Sequence, residues 1–379
     1  MAALVAERTV VTPPGATPFE VGRCHGAALR AEATRLARRQ SEEFLGAGGE
    51  AAAALFVVPF EAAMREHTPW LLEEARGISE GAGLSYASAL CLQLLDELWE
   101  EKQRGGGGLG CTVLSLTAAS GARATGQTMD LEGWRDGSQA VLAIAGSDPR
   151  PPVLVATSAG CVGLCGANSA GVACCVNNLW QLPSQSAGLP VAAVVRGILA
   201  CCSFADAAAF VRAVPHASGQ AYAISGSGGE QAVFETCAAA VVQVPGGPRV
   251  NGLELAVHAN HVEQCAERGD IALALSAEAL ARRERNSRSR RERCAQLLRG
   301  HAEAAAEGAA GADLLAIATD ALSDEAAEDP ICRRVVGDAP ATFLSLVVVS
   351  GDGAESAVPR VHVAFVAGGA FAECAFAAE

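Results

Sequence analysis

Residues 104–116, RGGGGLGCTVLSL, set four consecutive glycines, then Leu109 and Gly110, ahead of Cys111, and a strand-like apolar run begins at once. One reading is an ordinary buried cysteine, since free cysteine packs as a small hydrophobe. The other is chemical. If the Gly110–Cys111 peptide bond is cut, Cys111 becomes a new N-terminus, and its α-amino group (ordinary pKa near ~8) can act as base for its own thiol. Glycines lack Cβ and let the backbone reach the strained geometry that an N-to-S acyl shift requires. Thr112–Leu116 would then hold the freed nucleophile on a strand. The residues alone leave both readings open.

Competing chemistries have less support. A serine-hydrolase elbow needs G-x-S-x-G. Ser169, in ANSAG, lacks the first glycine, and Ser227 fails in the same way, so each reads as a β-turn. His258 and His261 form HxxH with Cys265 beyond, but no second ligand cluster has recognisable spacing, and a packed or surface pair is expected. The 14 cysteines include the adjacent pairs Cys174-Cys175 and Cys201-Cys202 and no CxxC, which favours small buried hydrophobes over disulfides or a zinc ribbon. Residues 282–293, RRERNSRSRRER, hold seven arginines and two glutamates. A solvated helix face is the preferred meaning, with a docking patch for a phosphorylated acyl carrier such as coenzyme A as the other. Trp134 and Trp180 suit a pocket lining or core packing equally.

The elements that must carry these residues change character at 105–110. Before that point, 19–45, 50–78 and 86–103 read as helices, the last with Leu90, Leu94, Leu95 and Leu98 at helical spacing. Beyond it come short strands at 111–118, 123–130, 140–146, 152–158, 161–166 and 171–178, with turns between. Helices are expected near 190–201 and 204–213, and strands near 220–226, 231–237, 240–244 and 254–259. Helices return at 276–300 and 310–322, and strands at 342–350 and 361–367. Runs of strands and runs of helices indicate an α+β fold rather than a wound βαβ sheet.

Composition narrows the function further. A net charge of −14 argues against nucleic-acid binding, which needs a basic surface. No stretch approaches the apolar length of a membrane span. The start has Glu7 and Arg8 too early for a secretory signal, and the ending matches no lipidation, retention or peroxisomal tail, so a cytoplasmic protein is expected.

GCTVLSL, followed by ATGQTMDLEGW at 124–134, GCVGLCGANSAGVACCVNNL at 160–179, HANHVE at 258–263, SRSRRERCAQLL at 287–298 and ICRR at 331–334, resembles the peptidase C45 family. That family includes penicillin-forming acyltransferases and β-alanyl-dopamine hydrolases. The resemblance covers 110–350 and weakens over the helical N-terminal region. It implies a four-layer αββα N-terminal-nucleophile hydrolase sandwich and self-cleavage into 1–110 and 111–379, which stay associated. It also implies Cys111 as nucleophile, Asp130 orienting an amine, Asn260 stabilising an oxyanion, and Arg333 meeting a substrate carboxylate or fixing the site. The implied substrate is a small N-acylated amine or amino acid, resolved by hydrolysis or by acyl transfer, with an acyl-CoA as a possible partner and no metal or organic cofactor. Val113 stands where a penicillin-forming relative carries a hydroxyl residue. A non-catalytic binding protein that retains the fold is the rival from another class.

Overall fold

The computed structural model describes residues 2–101, 110–304, 313–325, 328–351, 358–365 and 367–377. Gly105–Gly108, the core of the composition boundary, therefore lie outside the described residues. Strand β1 (Thr9–Val11) enters a first sheet, while β2 (Cys111–Ala118) and β3 (Arg123–Leu131) form a hairpin in a second. The first sheet continues with β4 (Gln139–Ile144), β5 (Val153–Ser158), β6 (Cys165–Asn168), β7 (Ala173–Asn178), β8 (Gln220–Ser225), β9 (Gln231–Thr236) and β10 (Val241–Val244). The chain then returns to the second through β11 (Arg249–Val250), β12 (Leu253–His258), β13 (Ala341–Ser350), β14 (Arg360–Ala364) and β15 (Ala372–Cys374). The first sheet runs β1-β4-β5-β6-β7-β8-β9-β10, and the second runs β11-β12-β2-β3-β13-β14-β15.

The two sheets pack face to face, with β2 and β3 over β7. Gln127 on β3 accepts the Val176 N–H of β7 at 2.7 Å, and Thr125 meets Ser225 at 3.1 Å, so polar side chains as well as apolar ones bridge the sheets. The Val191–Leu199 and Phe204–Ala213 helices cover the outer face of the first sheet, and Ala277–Ala304 and Leu314–Leu322 cover the second. That is a four-layer αββα sandwich, the architecture the resemblance implies. Both faces of β2 are therefore buried. Cys111 and Val113 join the inter-sheet core, while Leu114 and Leu116 join the cluster under the outer helices.

The N-terminal helices form an added layer. Thr17 and Glu20 make a capping box, with Glu20 Oε2 accepting Thr17 N–H at 2.8 Å, and Pro18 opens the helix Pro18–Ala28. That helix crosses Pro69–Ala82 at Gly22, Gly26, Gly77 and Gly81. A Cβ on Gly22 would lie 1.9 Å from the Glu74 carbonyl oxygen, so the backbones touch and only glycine fits. The layer is tied to the sheets by Arg196, bidentate on Glu74 at 2.8 and 3.0 Å, and by His25 accepting the Gly160 N–H at 2.9 Å.

Four expected elements differ. The helix expected at 50–78 is divided into Gly49–Phe56, Val58–His67 and Pro69–Ala82, because Pro59 and Pro69 sit in the first turn of a new helix. The helix expected at 19–45 turns at Leu29 and resumes at Arg30, because each half buries its own stripe: Val21 and His25, then Ala33, Leu36 and Gln40. The one expected at 86–103 breaks around Gln93, whose side chain donates to Gly160 O and accepts from Val162 N, both at 2.7 Å. Those bonds also take the backbone groups of the strand expected at 161–166, so β6 starts only at Cys165. No helix among the described residues is long and apolar enough to cross a membrane.

Candidate active site

The centre is built around the Gly110–Cys111 peptide. The Cys111 N–H donates to Asn260 Oδ1 at 2.7 Å, and the Gly110 carbonyl accepts the Asp130 N–H at 2.6 Å. Asp130 lies near the end of β3, which pairs with β2 so that Cys111 faces Met129. Its Oδ1 accepts from Thr342 Oγ1 at 2.7 Å, and its Oδ2 lies 3.4 Å from Arg333 Nε. A Cβ added to Gly110 would come within 2.5 Å of that Oδ2, so glycine is the residue that lets carboxylate and peptide approach. The β3–β13 register shifts between Thr342 and Leu344, a bulge that aims Thr342 at Asp130. Arg333 and Thr342 are locked together, since Thr342 Oγ1 accepts the Arg333 N–H at 2.8 Å and Thr342 N–H donates to Arg333 O at 2.9 Å.

Arg290 completes the frame. Its Nη1 donates to the Cys111 carbonyl and to Thr112 Oγ1, both at 2.7 Å, and its Nη2 donates to Asn260 Oδ1 at 2.8 Å. Two donors on one oxygen fix which way the Asn260 amide points. Its Nδ2 donates to the Asn178 carbonyl at 3.1 Å and keeps a second hydrogen. Asn286 accepts from Arg290 Nε at 3.0 Å and also from Arg333 Nη2, so one amide bridges both arginines. The sequence therefore brings Cys111, Asp130, Asn260 and Arg333 into one constellation.

The sequence matches the family described as acyl-coenzyme A:6-aminopenicillanic acid acyl-transferase over residues 155–357, more than half of the 379. The chain belongs to that family. That family is described by acyl transfer from coenzyme A. No curated protein sequence matches the chain. Among solved structures, a variant of the conjugated bile acid hydrolase from Clostridium perfringens is 13% identical with a TM-score of 0.44, covering 71% of this chain and 98% of that one. Penicillin V acylase from Agrobacterium tumefaciens is 14% identical with a TM-score of 0.37, covering 67% and 82%.

In this family member the solvated-face reading of 282–293 needs correction. Arg290 is buried beneath β2, because Ser287, Arg290, Cys294, Leu298 and Ala302 form the inward stripe of their helix. Other arginines of the run do sit at the surface in ion pairs, as Arg288 does with Glu284 at 2.6 Å. Ser287 on the same stripe accepts the Asn260 N–H at 2.7 Å and contacts His261 Nδ1 at 2.8 Å. His258 instead meets Glu235 at 3.0 Å, and among the described residues no group of His, Cys, Asp and Glu could hold a metal. Glu235 also accepts the backbone N–H groups of Glu263, Gln264 and Cys265 at 2.6, 2.9 and 2.7 Å. It thereby fixes the turn that follows Asn260. Of the two tryptophans, Trp180 lines a cavity, whereas Trp134 packs beside Arg135, 4.3 Å from its ring centroid.

Electrostatics mark Cys111 as a neutral thiol before any cleavage. Burial pushes it up to about 12, the Asp130 and Asp96 carboxylates add to that, and Arg290 opposes them. Burial also raises Asp130, against the pull of Arg333, Arg290 and the Thr342 hydroxyl. Arg290 is lowered to about 10 by burial, so its charge is retained at neutral pH. Among the described residues Asp130 Oδ2 makes no hydrogen bond, which leaves an open acceptor beside the peptide.

Proposed function

We propose that the chain is a self-processing cysteine N-terminal-nucleophile amidohydrolase or acyltransferase that cleaves Gly110–Cys111 and then acts on a small N-acylated amine or amino acid. The observation that carries the reading is the Gly110–Cys111 peptide itself. Its carbonyl is held by Asp130 N–H, its nitrogen is held by Asn260 Oδ1, and the open Asp130 Oδ2 sits beside it.

In processing, Cys111 Sγ attacks the Gly110 carbonyl carbon while its proton passes to Asp130. The Asp130 N–H steadies the oxyanion. The C–N bond then breaks, the Cys111 nitrogen takes up a proton, and a thioester links Gly110 to Sγ. Water hydrolyses it, giving a Gly110 carboxylate and a free thiol. The fragments 1–110 and 111–379 remain associated, because one apolar core and the Arg196–Glu74 pair span both.

In turnover the freed amine serves as base for the thiol, with Asn260 Oδ1 and Asp130 orienting it. The tetrahedral oxyanion is met by the second Nδ2 hydrogen of Asn260 and by backbone N–H groups, the amine leaves, and the Cys111 thioester passes to water or to a second amine. Arg333 meets a substrate carboxylate or braces Asp130. The family's namesake reaction makes acyl transfer from an acyl-CoA the second reading. A cytoplasmic setting suits either.

Incubation with N-acyl amines and acyl thioesters, followed by mass analysis of the 111–379 fragment, tests the reading. An acyl adduct on Cys111 and release of free acid without an acceptor are expected. A strict acceptor requirement would select acyl transfer, and absence of any adduct or turnover across the panel would overturn both.

A further inference from the structure

Two arginines bracket the Gly110–Cys111 peptide. Arg290 Nη1 holds the Cys111 carbonyl at 2.7 Å, and Arg333 Nη1 lies 3.4 Å from where a Cβ on Gly110 would sit. They come from different elements, Arg290 from the helix Ala277–Ala304 and Arg333 from the loop that leads into β13. Like charges this close repel, and burial removes much of the solvent that would screen them. Burial lowers Arg290, Asp130 opposes that, and the Arg333 charge lowers it further. An acceptor shared by both guanidiniums is what can keep them together. Asn286, half-buried and one turn before Arg290 on the same helix, is placed to be that acceptor. Its Oδ1 accepts from Arg290 Nε at 3.0 Å and from Arg333 Nη2. Its Nδ2 donates to Asp329 Oδ1, four residues before Arg333. Guanidiniums only donate and an ionised carboxylate only accepts, so the amide has one workable orientation. Flipped, it would set its NH₂ against two cations.

We infer that Asn286 is a positioning residue: its amide, aimed by Asp329, clamps Arg290 and Arg333 across the Gly110–Cys111 peptide and so sets where Arg333 meets Asp130. Arg290 has further anchors in Thr112 and Asn260. Arg333 has fewer, since its Nε is 3.4 Å from Asp130 Oδ2 and its backbone N–H is tied to Thr342. Loss of Asn286 therefore frees the Arg333 end of the clamp first. Asp130 then loses the foremost of the charges that oppose the effect of its burial. Asp130 must be ionised to take the Cys111 proton in processing, so a weaker pull leaves less of it in the working form. Among the described residues the titratable groups that face Asp130 are Arg333, Arg290 and the Cys111 and Cys332 thiols, with Asp329 beyond Asn286.

The inference rests on the self-processing reading above, and its test separates the two. Fragment appearance is timed across pH after cell-free synthesis of the wild type and of Asn286→Ala. The variant should process roughly 10- to 100-fold more slowly. The acid limb of its pH–rate profile should also move up by about one unit. A packing role alone would lower the melting temperature and leave that limb in place. Independently of cleavage, carbon-13 NMR of aspartate-labelled Cys111→Ala protein follows the Asp130 carboxyl directly, with Asp130→Asn assigning the signal. Adding Asn286→Ala should raise its titration midpoint by about one unit. If Asn286→Ala does not fold, Asp329→Ala, which frees the amide to turn, should move the midpoint the same way by a smaller step. An unmoved midpoint in the folded variant overturns the clamp. A wild type that stays uncleaved overturns the self-processing reading, and the NMR then decides the clamp by itself.

Discussion

Glu235 and Asp130 are both fully buried carboxylates near Asn260 and Cys111, and their surroundings equip them in opposite ways. Glu235 receives His258 and three backbone N–H groups. Burial alone would raise it, but those donors together hold it down to about 2. Asp130 receives Thr342 on one oxygen, while its other oxygen, beside Gly110, makes no hydrogen bond and has Arg333 Nε at 3.4 Å. Burial prevails there and pushes it up. A carboxylate with every lone pair engaged fixes a turn. One left partly unpaired next to a scissile peptide can take and return a proton.

The largest expected effect tests the setting of that contrast. Cys111→Ala should abolish both self-cleavage and turnover while the chain still folds, which gel analysis and circular dichroism would show together. The contrast itself predicts opposite outcomes for its two acids. Asp130→Asn should slow processing and turnover by roughly 10²- to 10⁴-fold with little change in melting temperature. Glu235→Ala should cost about 3–5 kcal/mol in urea unfolding, because it strands His258 and three N–H groups. Equal destabilisation by both substitutions would erase the distinction.

A smaller loss, about 1.5–3 kcal/mol, is expected for Arg290→Lys, since an ammonium cannot reproduce the fork that joins Cys111 O, Thr112 and Asn260. Slower processing in that variant, measured by fragment appearance over time, would show the fork acting on the peptide and not on packing alone.

The smallest effects lie in pH dependence, best measured by unfolding in a Cys111→Ala background. Glu235 is depressed from an ordinary 4.5 to about 2. Its stabilisation is therefore present above 4.5 and lost as pH falls toward 2, and the gap between the parent and Glu235→Gln should close over that window. Asp130 is raised from 3.8, so its contribution is present below 3.8 and is lost as pH rises through its folded value. The gap between the parent and Asp130→Asn should move in the variant's favour across that rise.

Much of this was legible in the sequence. The strand after Cys111, the helices at 191–199 and 204–213 and the α+β succession of strands and helices follow from period and turn residues, the two-sheet sandwich came from the family resemblance, and Cys111, Asp130, Asn260 and Arg333 sit in ordered motifs. Arg290 was hidden because composition, not position, dominates a run with seven arginines. The inward stripe Ser287, Arg290, Cys294, Leu298 and Ala302, at helical spacing, was the available signal. Glu235 and Thr342 carried no signal, since their partners lie 23–30 and 212 residues away along the chain. Nor could periodicity locate the breaks at Leu29 and Gln93, which depend on side chains reaching another layer.

Intact-mass analysis of the purified wild-type protein under denaturing conditions bears most directly on the central claim. Two chains corresponding to residues 1–110 and 111–379, absent in Cys111→Ala, are the predicted result. A single chain of 38.5 kDa in both proteins would contradict it.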